Sequence, residues 1–388
     1  MTPAARYAAA IDILDKMLAG EAAEKALTNW ARSNRFAGSG DRHALRDIVY
    51  DVLRCKRSFA GFGGAETGRG LILGALRSAG TAPEVVFSGT GYAPAALSQA
   101  ESEAGASPTG LAELDCPDWL EPELRRSLGA NFEPILRRLQ SRAPVFLRAN
   151  LRKITRDAAQ KSLAGEGILT RVSDLSKTAL EVTENPRKVQ ASNSFQAGLV
   201  ELQDAASQAI VDLLPLTPNS RVLDYCAGGG GKSLAMAGLC EAKYFAHDIQ
   251  PARMKDLAVR AKRSGVRVET IASAALHTAG GFDLVLADAP CSGSGSWRRA
   301  PEAKWALTPE RLADLCTIQA EVMDEASALV SPHGIFAYAT CSLLQAENDD
   351  QLTAFMRRNQ HWQKVTHKTF TPLEGGDGFY AAVLRRVE

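Results

Sequence analysis

Phe282-Asp283-Leu284-Val285-Leu286-Ala287-Asp288-Ala289-Pro290-Cys291-Ser292-Gly293-Ser294-Gly295 decides how this chain folds. Phe282 to Ala287 is an apolar run of the length and residue type of a short buried strand. Directly after it come a carboxylate, a proline-fixed turn and a thiol. In open parallel α/β sheets, ligands bind just outside the carboxyl ends of the strands. The arrangement recurs fifty residues on, where Ile335-Phe336-Ala337-Tyr338-Ala339 runs into Thr340-Cys341-Ser342. Any function must explain two thiols at two strand ends.

Around this stretch, from Val200 onward, apolar strand-like runs alternate with helical spacing. The runs are Arg221–Asp224, Lys243–His247, Val266–Ile271, Phe282–Ala287 and Gly334–Ala339, with helical patterns over 231–240, 251–264 and 309–330. Such alternation implies right-handed crossovers and a doubly wound parallel sheet. A last run, Phe379–Leu384, is expected to pair at an edge. Residues 200–388 are thus expected to form a Rossmann-like, doubly wound α/β domain.

The texture upstream differs. Residues 1–130 are Ala-rich, helix-patterned and strand-poor, which predicts an all-α domain. Ile11, Leu14, Leu18, Ala22 and Leu27 recur at helical spacing from Tyr7 to Trp30, and Asp41 is placed to cap a helix carrying Leu45, Ile48, Val49, Val52 and Leu53. Gly68–Leu76 and Ala93–Gln99 read as further short helices. Residues 118–142 carry a long helical pattern interrupted at Gly129, and residues 131–199 are expected to comprise the linker helix and a small α+β RNA-binding subdomain with strands at 145–150, 169–172 and 179–182.

Bulk properties exclude several classes. The 388 residues carry 45% hydrophobic and 23% charged side chains, ordinary for a globular protein. No apolar run reaches the roughly 20 residues of a membrane span, and the N-terminus lacks a secretory core, so the protein is expected to stay in the cytoplasm; a monomer is also expected. Seven scattered cysteines with no Cys-x-x-Cys pair argue against a disulfide framework and against a metal site. Net charge is only +1, yet residues 134–188 hold twelve Lys/Arg against five Asp/Glu, and residues 32–57 seven against three. Basic patches of this kind meet phosphates.

After the first α/β strand stands Asp224-Tyr225-Cys226-Ala227-Gly228-Gly229-Gly230-Gly231-Lys232-Ser233. A P-loop would need glycine where Cys226 stands, and a dinucleotide fingerprint would need one at Ser233. The glycines still let a ligand lie against the backbone at a helix N-terminus. Asp248 ends the next strand, where an acid can hold both ribose hydroxyls of an adenosine. A cationic adenosine-bearing ligand fits better than a triphosphate, and S-adenosylmethionine is that ligand.

Together, the Asp224–Ser233 loop, Asp288-Ala-Pro-Cys-Ser-Gly-Ser-Gly and Tyr338-Ala-Thr-Cys-Ser resemble the RsmB/Sun (NOL/NOP/Sun) family of RNA (cytosine-5)-methyltransferases. Gln203–Gln208 and Glu347-Asn348 extend the likeness, which covers residues 140–388. Residues 1–75 resemble, more weakly, the NusB-like helical domain of RsmB-type enzymes, carried by Phe36–Arg42 and Leu53-Arg54. The family's Ala-Pro in the glycine loop is replaced by Gly228 and Gly229. Its adenine-side aspartate is absent from Ile271–Ala274, where Ser273 is the remaining acceptor.

Methylating cytosine at carbon 5 requires a thiolate to add at carbon 6, a group to stabilise charge on the base, and a proton acceptor. Chemistry alone leaves either thiol as the nucleophile, since DNA cytosine-5 enzymes use the Pro-Cys thiol. The resemblance assigns the attack to Cys341, and proton removal with product release to Cys291. It places Asp288 and Lys232 beside the base. Cys226, Ala227, Gly228, Gly229, Gly230, Gly231, Lys232, Asp248, Ser273 and Asp288 then form the donor site. The expected substrate is small-subunit (16S) ribosomal RNA. A transfer-RNA enzyme, a non-catalytic ribosome-assembly factor and an NTPase are the alternatives. Further RNA contacts are expected from residues 134–188, Arg253–Arg267 and Arg298-Arg299, with Trp297 and Trp305 available for stacking.

Overall fold

Numbered in chain order, the strands are β1 (Val145–Ala149), β2 (Thr170–Val172), β3 (Ala179–Val182), β4 (Val200–Leu202), β5 (Arg221–Asp224), β6 (Lys243–Ala246), β7 (Val268–Thr270), β8 (Phe282–Asp288), β9 (Val330–Thr340), β10 (Trp362–Phe370) and β11 (Phe379–Arg386). The computed structural model describes residues 1–387. It separates into a helical unit of Met1–Arg142 with Trp297–Leu307, and a unit of Ala143–Ser296 with the chain from Thr308 onward that holds every strand.

In the second unit, seven strands form one sheet in the order β10-β11-β9-β8-β5-β6-β7. The five strands from β9 to β7 are parallel, whereas β11 and β10 are antiparallel additions. Side chains alternate between the two faces as the pleat requires. Val222, Leu284, Leu286, Ala337 and Ala339 pack with helices Ala205–Asp212 and Gly231–Leu239. On the opposite face, Leu223, Val285, Ala287, Phe336 and Tyr338 pack with helices Pro309–Ala328 and Asp349–Arg358. Burial on both faces explains why β8 reads as an unbroken apolar run. Chain order reverses between β5 and β8, so a crevice opens outside their carboxyl ends.

The run Phe379–Leu384 is an interior strand, not an edge, because β10 covers it. β10 reads Trp-Gln-Lys-Val-Thr-His-Lys-Thr-Phe, and its residues are mostly exposed, so it gave no apolar signal. A smaller antiparallel sheet, β2-β3-β1-β4, packs with helix Arg156–Gly165 over Leu147, Leu163, Leu180 and Val200. Its last strand, β4, lies just beyond the 199 boundary read from the sequence.

In the helical unit, the pattern from Tyr7 to Trp30 is two helices, Pro3–Leu18 and Ala23–Ser33, separated at Gly20, whose φ is +99°. Asp41 lies inside helix Ser39–Arg54 and accepts from the Gly38 N–H at 3.3 Å, rather than standing as its cap. The expected helix at 93–99 begins only at Gln99. Pro94 cannot donate a helical hydrogen bond, and the Ser98 hydroxyl caps Gln99–Glu103 by accepting from the Glu101 N–H.

Candidate active site

Because β8 and β9 are parallel neighbours, with Asp288 opposite Ala339, their cysteine turns emerge side by side. The sulfurs of Cys291 and Cys341 are 3.4 Å apart, and both are free thiols. Gly295 holds the first turn close to the second, since its N–H donates to the Cys341 carbonyl and a Cβ there would meet the Gly378 backbone. Between the turns lies the fully buried Glu347 carboxylate. It accepts from the Ser292 N–H at 2.7 Å, the Ser292 hydroxyl at 2.5 Å, the Gln319 amide at 3.0 Å and the Ser342 hydroxyl. Asn348 secures the second turn, accepting from the Thr340 hydroxyl and donating to the Ser342 carbonyl. A buried carboxylate saturated with donors is rigid, because moving it would leave several groups unpaired.

The two thiols cannot both ionise at this separation. A hydrogen bond with Cys341, then burial, then the charges of Cys341 and of Glu347 push the Cys291 thiol well above its ordinary range. Cys291 therefore keeps its proton and can donate it toward Cys341. On the same side of the sheet, Lys232 Nζ donates to Asp288 Oδ2 at 2.6 Å. Burial opposes the charge on Lys232, but the adjoining Asp288 outweighs it and raises the lysine, which stays an ammonium.

Asp224 ends β5 and is buried. Its Oδ2 accepts from the Ser233 hydroxyl at 2.6 Å, while Oδ1 is buried without a partner. Burial pushes its carboxyl up to about 6. The loop then passes through Gly230 (φ +77°), where a Cβ would strike Leu257, into helix Gly231–Leu239. Burial also pushes the Cys226 thiol up, away from the thiolate form.

Asp224, Cys226, Ala227, Gly228, Gly229, Gly231, Lys232, Asp288, Cys291 and Cys341 line one cavity of about 530 Å³. Gly230, Asp248 and Ser273 do not line it. Asp248 is buried at the loop's flank, accepting from the Gly228 N–H at 2.9 Å and pairing with Arg253 at 3.2 Å. Ser273 is exposed, with its hydroxyl 2.9 Å from His247 Nε2. Gln203, Ser207, Arg253, Arg311 and Leu315 also line the cavity. Arg311 and Leu315 carried no motif signal, being one helix face among many.

Several expected RNA contacts are spent inside the fold. Arg298 and Trp297 are buried in the helical unit, where the Arg298 carbonyl accepts from Arg54 Nε at 2.7 Å. Trp305 donates to the Leu53 carbonyl at 2.7 Å between Lys56 and Lys304. Within residues 134–188, Arg148 is buried on the Gln203 amide and the Gly231 carbonyl, and Arg152 and Lys153 donate to carbonyls of neighbouring elements. Among the described residues, no cluster of three or more His, Cys, Asp or Glu could hold a metal, and no helix is long and apolar enough to cross a membrane.

The sequence model for the 16S rRNA methyltransferase RsmB/F family matches residues 211–385, and that for the RsmF/B-like ferredoxin-like domain matches 116–190. Ribosomal RNA small subunit methyltransferase B from Enterobacter sp. (strain 638) is 31% identical over 285 residues, covering 69% of this chain and 66% of that protein. Its counterpart from Pseudomonas putida is 33% identical over 292 residues, covering 70% and 66%. The aligned part of the chain thus spans 66% of the length of these relatives. Among solved structures, PH0851 matches all of this chain and 99% of its own, with a TM-score of 0.77 at 22% identity. NSun6 from Pyrococcus horikoshii matches 70% and 98%, with a TM-score of 0.63 at 17% identity. These two likenesses speak for the fold. The two cysteine turns on neighbouring strands, the family model over the catalytic sheet and relatives above 30% identity converge: the chain belongs to the RsmB/Sun methyltransferase family.

Proposed function

We propose that this protein methylates carbon 5 of a cytosine in RNA, with small-subunit ribosomal RNA as substrate and S-adenosylmethionine as donor, acting as a cytoplasmic monomer. The carrying observation is the pair of free thiols 3.4 Å apart, in one cavity with the Lys232–Asp288 pair. The donor fits the residues present: the orphaned, buried Asp224 Oδ1 suits a cationic ligand, and the glycine loop leaves its backbone uncovered. Asp224, Ala227–Gly231 and Asp248 would hold it, with Ser273 at the loop's outer flank. Asp248, paired here with the exposed Arg253 guanidinium, would be the acceptor for the ribose hydroxyls. When bound, the donor supplies an electrophilic methyl group.

The chain's own residues do the rest. Cys341, as the thiolate that the addition requires, with its proton passed to solvent, adds to carbon 6 of a cytosine turned out of any helix. The sulfur–carbon bond forms as the ring's double bond shifts, making carbon 5 nucleophilic. Asp288, sharing a proton with the base beside Lys232, neutralises charge at the ring nitrogen. Once Cys341 is bound in a neutral thioether, it carries no charge to oppose ionisation of Cys291, whose proton passes to solvent. Cys291 then takes the carbon-5 proton, the electrons return to the ring, and the Cys341–carbon bond breaks.

The test is to incubate the protein with donor labelled in its methyl group and with small-subunit ribosomal RNA or transfer RNA, then digest to nucleosides. Label in 5-methylcytidine from ribosomal RNA is expected. Label from transfer RNA alone would overturn the substrate, and none from either would favour a non-catalytic assembly factor.

A further inference from the structure

We propose that the helical unit carries its own single-stranded RNA subsite, between helices Ala23–Ser33 and Ser39–Arg54. Phosphates would enter an arginine-lined pocket and a neighbouring base would stack on Phe36 and Tyr92. The subsite rests on the reading that the substrate is RNA.

The pocket is about 510 Å³, floored by Leu27, Trp30 and Leu45 and rimmed by Arg32, Arg35, Arg42 and His43. Three of its four arginines lack acidic partners. Arg32 and Arg35 make no hydrogen bond or ion pair with any described residue, and Arg42 donates only to the Ala37 carbonyl at 3.0 Å. The same unit pairs its other arginines readily: Arg6 with Asp41, Arg57 with Asp118, Arg69 with Glu101, and Arg46, at the pocket's edge, with Glu24. Three like charges gathered around a concavity without carboxylates repel one another unless an anion enters.

A second, independent observation gives that anion its chemistry. Trp30 is also a wall of a second cavity, of about 520 Å³, lined by Phe36 and Tyr92. These are the two aromatics among the exposed large apolar side chains, at 74% and 87% exposure. A water-facing aromatic costs hydrophobic free energy that a stacked base recovers. Cations for phosphate adjoining bare rings for base are the two halves of a single-strand platform; an acidic peptide would use the first half and leave the rings idle. Bases inside an A-form helix cannot reach such rings, which selects an unpaired segment.

The experiment measures binding of the full-length protein to a fluorescent, unstructured oligoribonucleotide across a salt series. Three phosphate contacts give a log–log salt slope of about 2, at roughly 0.7 per contact. The variant R32A/R35A/R42A is expected to lose that slope, and R32K/R35K/R42K to retain it, with melting temperatures unchanged because these side chains are exposed. F36A/Y92A is expected to weaken binding about tenfold or more while keeping the slope. Cross-linking with 4-thiouridine RNA should label Phe36 or Tyr92. An alanine triple variant with wild-type slope and affinity overturns the subsite, even if the wild type still methylates RNA. Competition by polyglutamate as strong as by RNA of equal charge overturns it in favour of an acidic protein. A wild type that neither binds nor methylates RNA overturns the RNA reading itself.

Discussion

At the scale of single residues, the site is built from side chains held in states that water would not favour. Asp224 is raised from 3.8 to about 6 by burial, so the folded state binds its proton more tightly than the unfolded chain. Stability from this group is therefore present at low pH and lost as pH rises from about 4 to about 6, by on the order of 2–3 kcal/mol. Asp224→Asn should accordingly raise the melting temperature at pH 7.5 while weakening donor binding, both readable by calorimetry. A variant that melts lower and binds donor normally would show that Asp224 is structural. Glu347 makes the opposite demand. Glu347→Ala strands the Ser292, Ser342 and Gln319 donors in the interior and should cost about 3–5 kcal/mol in denaturant unfolding. Glu347→Gln keeps the shape and should mainly slow adduct formation, by loosening the 3.4 Å thiol spacing. The cysteines, Asp288 and Lys232 were legible because their identities and spacing carry chemistry. Glu347 was legible only as half of an acid-amide pair, since its purpose depends on donors brought in from three other segments.

At the scale of elements, legibility followed burial. Strands buried on both faces, β5, β8 and β9, announced themselves as apolar runs. β10 did not, because its residues are mostly polar and exposed, and missing it turned the interior strand β11 into an apparent edge. Some basic residues, such as Arg148 and Arg298, were misread for the complementary reason: charge in a sequence does not reveal whether a guanidinium meets solvent or a carbonyl. Arg148, buried on Gln203 and Gly231, joins β1 to the first turn of the helix that carries Lys232. Burial pulls its guanidinium down to about 10. Arg148→Met should therefore leave RNA affinity nearly unchanged but lower kcat, as the Lys232 turn loses its tether. A pure loss of RNA affinity would return Arg148 to the nucleic-acid surface.

At the scale of the whole molecule, the chain leaves the sheet-bearing unit after Ser296 and returns at Thr308, and the intervening segment belongs to the helical unit. That segment follows the Cys291 turn directly, and its sequence, rich in tryptophan and arginine, imitates a nucleic-acid contact. Trp297 and Arg298 are instead buried, and Lys304, depressed to about 8 by burial, donates to the Arg54 carbonyl. No sequence spacing shows that a catalytic-domain segment packs within another unit. A fragment beginning at Ala143 should be cut by protease within 297–307, where the intact protein is protected. The central claim is that Cys341 attacks and Cys291 releases. It is tested most directly by mixing Cys291→Ala and Cys341→Ala variants with RNA and donor, then resolving denatured samples by electrophoresis. Cys291→Ala should accumulate a denaturation-resistant protein–RNA adduct and Cys341→Ala should form none; an adduct from Cys341→Ala and none from Cys291→Ala would contradict the assignment.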